Sequence, residues 1–299
     1  MRKTQQTAGV KFDGSSFLHG VIVFTLILLL FATLYPVIYI VSMSISDVDA
    51  VLNREVLLLP KGFSLKSYSL VFENPQVWRS YMNTIFYTVF GTFINLALTL
   101  SCAYSVAQQR FFLRRGLMVF ITLTMVFSGG MIPGFLLVTR LGIYNTRWAI
   151  LLPGAVSAWN LIIARNFFMT TIPDELIESA RIDGANDIGI FLKIVMPLSG
   201  AILAVMTLFY ATGHWNMWFK AMIYVPNEAL QPLQLYLRNV LLLNSPEAMA
   251  GLDDIMERVA YAMQLKFAVI VVATLPVMCL YPFVAKHFVK GVMVGAIKE

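Results

Sequence analysis

Charged residues are scarce in this sequence. Asp, Glu, Lys and Arg make up 13% of the 299 residues, hydrophobic residues make up 59%, and the mean hydropathy is +0.75. A soluble domain has about 25% charged residues. Because so few charges cannot cover the apolar surface of a chain this long, the composition predicts an integral membrane protein. The long apolar runs predict that it is all-α.

Cysteine and the residues of common catalytic motifs are also few. Cys102 and Cys279 lie far apart in apolar runs, which argues against a disulfide framework and favours two small buried side chains. The three histidines are scattered, and the sequence has neither a G-x4-G-K-[ST] phosphate loop nor a G-x-S-x-G nucleophile turn. We therefore expect no catalytic residue, no metal and no ATP on this chain. Basic residues at the ends of membrane spans explain the net charge of +6 without nucleic acid.

Six apolar runs are long enough to cross a bilayer, which takes about 20 helical residues. The sequence therefore predicts one transmembrane domain over residues 17–288, with polar tails at 1–16 and 289–299. The first run is too long for the apolar core of a signal peptide and has no clear cleavage site, so we expect it to be retained. The predicted spans cover residues 17–44, 81–106, 116–138, 147–168, 194–212 and 265–288.

The short loop at 108–115 indicates the orientation. It contains Arg110, Arg114 and Arg115 and no acidic residue. Short loops rich in Lys and Arg stay in the cytoplasm. With six spans, the N and C termini are then both cytoplasmic, and the segment 219–262 between spans five and six is external.

The longest charged run between two spans on the predicted cytoplasmic side is residues 173–197. Pro173 suits the first position of a helix, and the two acidic residues after it favour the positive end of a helix dipole. Gly184 ends this helix because glycine adopts left-handed angles, and Asp187 can cap a second helix. The pattern predicts two short helices joined by a glycine turn, a rigid polar element that suits the docking of another protein.

Several amides and tryptophans lie in or beside the predicted spans. An unpaired amide in hydrocarbon costs several kcal/mol, so these side chains face protein or a water-filled path. Aromatic rings beside amides suit a sugar, whose C–H faces stack on rings and whose hydroxyls pair with amides. The alternative is hydrogen bonding between helices and an interfacial tryptophan belt. The candidate substrate-path residues are Asn83, Trp159, Asn160, Trp215 and Asn216.

The charged run also resembles a known motif. Glu178-Ser179-Ala180, followed by Gly184, Ile194 and Pro197, is similar to the EAA loop of ABC-importer permeases, E-A-A-x3-G-x9-I-x-L-P. Ser179 and Met196 depart from it by small changes. The resemblance implies that this loop is the cytoplasmic coupling helix that docks on an ATPase. The coupling residues it implies are Glu178, Ser179, Ala180, Asp183, Gly184, Ala185, Ile194 and Pro197.

Three further stretches resemble the smaller six-span subunit of maltose-type carbohydrate permeases. They are Asn83-Thr84, Trp215-Asn216 and the terminus F-V-K-G-x3-G-A-I-K at 288–298. The long external segment resembles the LplC/YtcP-like group of oligosaccharide permeases. The resemblance implies a type I ABC-importer permease in a bacterial cell membrane, with several partners. These are a second permease subunit in a heterodimer, two ATPase subunits that hold ATP and Mg, an extracytoplasmic sugar-binding protein, an oligosaccharide and membrane lipid.

Two other classes compete with this interpretation. A stand-alone secondary transporter or channel usually needs an ionisable group inside a span, and no Asp or Glu lies in the middle of a predicted span. A membrane-embedded enzyme needs a nucleophile with a base, or a metal site, and the sequence offers neither. Copurification distinguishes the classes, because an importer permease brings a second permease and an ATPase with it.

Overall fold

The computed structural model describes residues 16–243, 261 and 264–279. The N-terminal tail before the first helix, the C-terminal tail, the end of span six and much of the later external segment lie outside the described residues. Within the described part the chain is helical, with an isolated antiparallel bridge between Ser46 and Phe63.

The helices are numbered here along the chain. They are α1 (Ser16–Ile45), α2 (Val48–Leu52), α3 (Lys66–Glu73), α4 (Pro75–Ala107), α5 (Arg114–Val126), α6 (Met131–Arg140), α7 (Trp148–Leu151), α8 (Ala158–Thr171), α9 (Asp174–Ile182), α10 (Asp187–Ile190), a π-helical turn (Phe191–Val195), α11 (Met196–Leu198), α12 (Gly200–Trp215), α13 (Phe219–Tyr224), a 3-10 turn (Glu228–Leu230), α14 (Leu233–Leu243) and α15 (Gln264–Cys279).

Helix α4 is the centre of the described part, because α8 and α12 pack along it. At its C-terminal end, Leu100 and Tyr104 belong to one apolar cluster with Leu161 and Phe168 of α8 and Met206 of α12. This three-helix contact is the core on which the charged loop after α8 is placed.

Two helices are long and apolar enough to cross a membrane, over Leu18–Ile45 and Pro75–Ala107. Two more spans result if α5 with α6, bent by 119°, and Asp187–Leu198 with α12, bent by 86°, each count as one. The described residues therefore supply two to four candidate spans by length and composition. The predicted total of six and the cytoplasmic placement of both termini stay predictions.

Spans three and four are not the continuous helices that a single apolar run suggests. The chain turns between α5 and α6, where Gly130 has φ +82°, an angle that glycine adopts at no steric cost. It breaks again between α7 and α8, because Pro153 has no N–H to continue the helix and Gly154 has φ +73°. Each of the predicted spans over 116–138 and 147–168 is therefore divided into two helices.

Helix α1 projects its apolar surface away from the rest of the chain. Every side chain from Leu18 to Ile38 is exposed. In a membrane protein such a surface contacts lipid or another subunit.

The expectation that both cysteines are buried is wrong. Cys102 is half-buried and Cys279 is exposed, because the side chains of an apolar run can also face lipid. Neither thiol forms a disulfide in the structure.

Candidate functional site

Helix α9 ends in a glycine turn. Gly184 has φ +82° and its N–H donates to the carbonyl of Arg181 at 3.0 Å. The N–H of Ala185 donates to the carbonyl of Ala180, also at 3.0 Å. These two bonds form a Schellman motif, which satisfies the last carbonyls of a helix. No atom lies within 4 Å of a Cβ built on Gly184, so the left-handed angle alone accounts for the glycine.

The caps of the two short helices differ by one residue from the prediction. Pro173 is the extended N-cap of α9 (φ −65°, ψ 135°) instead of its first helical residue. Asn186 caps α10 in place of Asp187, because Asn186 is the last residue with extended angles and its Oδ1 accepts the N–H of Gly189 at 2.7 Å. Asp187 begins α10 and pairs with Arg181 at 2.9 Å, which joins the two helices across the turn.

One face of the loop packs on the three-helix core. Ile177 and Ala180 of α9 are buried, and Ile190 at the end of α10 is fully buried. All three belong to the apolar cluster formed by α4, α8 and α12. The ring of Tyr104 in α4 lies 5.1 Å from that of Phe191, centroid to centroid. The buried face of the loop is therefore packed directly against the ends of α4 and α8.

The opposite face is exposed and offers both charge and apolar surface. No described residue forms a hydrogen bond or ion pair with the Glu178 carboxylate. Ile182 and Ile188 are 86% and 70% exposed on either side of the glycine turn. A partner that covers this face can therefore pair with a free carboxylate and bury two aliphatic side chains. The exposed residues of the predicted coupling set here are Glu178, Ser179, Asp183, Gly184 and Ala185.

Ile194 and Pro197 lie beyond the glycine turn, in a second arm. Ile194 is half-buried and Pro197 is exposed. The π-helical turn widens the helix before Pro197, whose ring would clash with the carbonyl four residues earlier in a regular α-helix. The chain then bends by 86° into α12. The predicted start of span five, Ile194, lies in the π-helical turn before this bend, and the helix after the bend begins at Gly200.

Two of the predicted path residues make hydrogen bonds to distant parts of the chain. The amide of Asn83 donates to the carbonyls of Ala229 (2.8 Å) and Gln231 (3.2 Å) and accepts from Arg147 at 3.3 Å. The indole of Trp215 is buried and donates to the carbonyl of Ala273 in α15 at 3.1 Å. Both side chains make the hydrogen bonds within the protein that were the alternative to sugar contacts.

The other three predicted path residues lie at helix ends. Trp159 is 62% exposed at the start of α8, and its neighbour Asn160 is buried. The amide of Asn160 makes no hydrogen bond to the described residues. Asn216 is exposed after α12 and donates to the carbonyl of Thr212 at 3.0 Å. The structure therefore does not bring the five path residues together, and their contact with substrate stays a prediction.

A cavity of about 210 Å³ lies between α4, α12, α13 and the turn after α7. None of the five predicted path residues lines it. Its polar lining consists of Asn95, Tyr210, His214 and Lys220. None of these four residues belongs to the predicted substrate-path set. One sequence pattern does indicate that Asn95 faces other parts of the protein. Polar residues recur at helical spacing along span two, at Thr84, Thr88, Thr92, Asn95 and Thr99.

The polar groups of the cavity are fixed by contacts between helices. His214 Nε2 lies 3.2 Å from Asn95 Oδ1, and a Cβ built on Gly91 would overlap the imidazole. Gly91 therefore lets α12 approach α4 closely enough for this bond. The hydroxyls of Tyr210 and Thr99 are 2.6 Å apart.

Lys220 brings a cation to the cavity. Its Nζ donates to the carbonyl of Pro153 at 2.6 Å. No carboxylate among the described residues lies within 4 Å of that nitrogen. Lys220 belongs to α13, which is outside the candidate spans, and burial lowers the pKa of its ammonium. The cavity thus combines a cation with no acid beside it, an amide and an imidazole between apolar walls.

Comparison with known proteins identifies the class of the chain. Over 278 residues it is 40% identical to the polygalacturonan/rhamnogalacturonan transport system permease protein YtcP of Bacillus subtilis (strain 168), covering 91% of this chain and 95% of that protein. It is 42% identical to protein LplC of the same organism over 266 residues, 89% of this chain and 90% of LplC. The chain belongs to the carbohydrate ABC-importer permeases. No family model matches this permease.

A solved structure agrees with the assignment. The permease superimposes with a TM-score of 0.84, at 36% identity, on a chain from the crystal structure of a bacterial ABC transporter involved in the import of the acidic polysaccharide alginate. The match covers 93% of this permease and 99% of that chain. The resemblance inferred from the EAA-like loop is confirmed. The chain is a helical membrane protein and a transport subunit rather than an enzyme, and its family works with ATPase and substrate-binding subunits.

Proposed function

We propose that this permease is one half of the translocation path of a binding-protein-dependent ABC importer for oligosaccharides. The observation that carries the proposal is the loop at 173–197, whose buried face joins the core and whose exposed face has an unpartnered carboxylate. ATP binding to the ATPases favours the outward-facing state, and hydrolysis resets it. This chain forms part of the path for the saccharide and transmits the movement of the ATPases to that path, and it binds no cofactor of its own.

The element that transmits this movement is α9 with its glycine turn. An ATPase cleft receives the exposed face, where Glu178 meets a cationic residue and Ile182 and Ile188 are buried. The opposite face, through Ile177 and Ala180, passes the movement to the ends of α4 and α8. Ser179, Asp183 and Ala185 complete the docked surface, and Ile194 and Pro197 shape the arm that leads into α12.

Membership in the family supports the proposed assembly. A second, different permease subunit completes the pore, and two ATPase subunits bind ATP and Mg. An extracytoplasmic binding protein delivers the sugar in the plasma membrane of a bacterium. The exposed apolar surface of α1 supports contact with the second permease or with lipid, since nothing in the described part of this chain covers it.

The substrate is an oligosaccharide. YtcP is named for polygalacturonan and rhamnogalacturonan, and the alginate transporter for an acidic polysaccharide. Acidic oligosaccharides are therefore the first substrates to test, with neutral ones beside them. Trp159, Asn160 and Asn216, which lie at the ends of their helices, are proposed to face this path.

Uptake by reconstituted complexes tests the proposal. The permease is coexpressed with its partner permease and ATPase, placed in proteoliposomes, and given ATP on the ATPase side and labelled oligosaccharide with binding protein on the other. We expect uptake only when ATP and binding protein are both present. Uptake without ATP, driven by an ion gradient, would contradict the proposal and favour a secondary transporter.

A further inference from the structure

The ammonium of Lys220 lies in the cavity with unused hydrogen-bonding capacity. An ammonium has three donors, and the carbonyl of Pro153 accepts one of them. A Cβ built on Gly154 would come within 3.4 Å of the Nζ, so the absence of a side chain there keeps the space beside the ammonium open. A half-buried cation without an acid beside it favours an anion that arrives from outside.

Two further polar groups face the same space. Asn95 uses its Oδ1 toward His214, and no described residue accepts a hydrogen bond from its Nδ2. His214 Nε2 is the donor in this bond, so the other nitrogen of the neutral imidazole is an acceptor, and the ring serves to orient the Asn95 amide. The Lys220 ammonium and the Asn95 Nδ2 group can each donate to one oxygen of a carboxylate, and the charge-assisted bond from the ammonium favours an anion over a neutral ligand.

The remaining walls and the size of the cavity suit a sugar ring. Phe209, Ile150, Leu151 and Met217 supply apolar surface beside the polar groups. The volume of about 210 Å³ is below the roughly 300 to 1,000 Å³ of pockets for drug-sized ligands. The cavity therefore has room for one unit of a saccharide rather than a whole chain.

We infer that the cavity formed by Asn95, His214 and Lys220 is a binding subsite for the carboxylate of a uronic-acid unit of the transported saccharide. The inference depends on the proposed function, because a saccharide must pass this subunit. It adds a place on this chain that selects for negative charge, with Lys220 as the specificity-determining residue.

The test is equilibrium binding by the assembled complex in nanodiscs of zwitterionic phosphatidylcholine, without binding protein. The probes are trigalacturonate and its methyl ester, which have the same rings and differ in charge. We expect wild-type complex to bind the acid about 10- to 100-fold more tightly than the ester, the range expected for a hydrogen bond to a charged group. Lys220→Met removes this preference, and Lys220→Arg retains most of it.

Lys61→Met is the matched control. Lys61 is exposed in the segment after α1 and pairs with Glu55 at 3.3 Å, so its removal changes the charge of the complex by the same amount away from the cavity. We expect it to keep the wild-type preference. Equal binding of acid and ester by wild type, or no binding of either up to millimolar concentration, would overturn the inference.

The comparison within wild type does not depend on how well a variant folds. A Lys220→Met complex that discriminates as wild type does would also overturn the inference. The proposed function fails separately, in the uptake assay, if ATP and binding protein drive no transport. If the complex imports saccharides but binds the acid and the ester equally well, the proposed function stands and the carboxylate subsite is refuted.

Discussion

Single polar side chains of α4 bind the segment that follows α13. Thr84 Oγ1 accepts the backbone N–H of Leu233 at 2.8 Å, and the hydroxyl of Tyr87 donates to the carbonyl of Leu230 at 2.8 Å. With the bonds of Asn83, these contacts tie the segment after α13 to the start of α4. The N-T pair that marks the family thus has a structural role in this chain, at the level of individual hydrogen bonds.

Replacing Thr84 by the isosteric valine tests this role. Thr84→Val leaves the buried N–H of Leu233 without its acceptor, which costs about 1 to 3 kcal/mol. We expect a corresponding loss of stability in denaturant titration of the purified complex. Thr122→Val, at an exposed hydroxyl that bonds only within α5, should change stability by less than about 0.5 kcal/mol. Equal effects of the two substitutions would refute the assignment.

Gly91 offers a second test at this scale. Gly91→Ala places a methyl group in the imidazole of His214, so we expect the bond to Asn95 to be lost and the melting temperature of the complex to fall. Gly116→Ala is the control, because nothing lies within 4 Å of its Cβ and alanine gains about 0.5 to 1 kcal/mol in a helix. A rise in melting temperature for both variants would show that the close approach is unimportant.

At the residue scale, the sequence predicted features that depend on neighbouring residues, such as turns and helix ends, better than contacts between residues far apart in the chain. The turn at Gly184 and the acidic start of α9 could be predicted because helix ends and left-handed turns have residue preferences within a few positions. The bond between Asn95 and His214 joins residues 119 apart, and no local pattern indicates it. Lys220 was unremarkable in sequence, because only the fold places it beside Pro153 with no described acid nearby.

At the scale of elements, the structure differs from the hydropathy pattern where glycine and proline interrupt apolar runs. The runs of spans three, four and five predicted membrane crossing, and each is bent or broken in the structure. Hydropathy measures the apolar length of a run and carries no information on where its backbone turns. The glycine pair before α6 and Pro153 before α8 are the features of the sequence that coincide with two of these breaks.

The glycine turn after α9 gives a prediction for the coupling element. A β-branched residue in left-handed conformation costs more than the about 1 to 2 kcal/mol typical of L-residues, so Gly184→Val disturbs the Schellman turn and the position of α10. We expect loss of transport and of ATPase coupling, with normal amounts of protein in the membrane. Gly184→Asn should retain both, because asparagine tolerates these angles. Normal transport by the valine variant would refute the docking interpretation.

At the scale of the whole molecule, the chain is incomplete as a transporter. Helix α1 exposes apolar side chains along most of its length, and the loop at 173–197 exposes Ile182, Ile188 and a carboxylate without a described partner. Both surfaces point to other subunits, which agrees with membership in the ABC-importer permeases. Composition and the EAA-like spacing were enough to predict this class, whereas the saccharide and the geometry of the assembly depend on chains that are not part of this sequence.

The most direct measurement is the ATPase activity of the assembled complex in lipid, with and without binding protein loaded with oligosaccharide. Wild type is compared with Glu178→Ala and with Glu175→Ala, an exposed carboxylate on the same helix outside the predicted coupling set. We predict that loaded binding protein stimulates hydrolysis, that Glu178→Ala lowers this stimulation about tenfold or more, as expected for a lost charged hydrogen bond, and that Glu175→Ala leaves it unchanged. Equal stimulation of all three complexes would contradict the account.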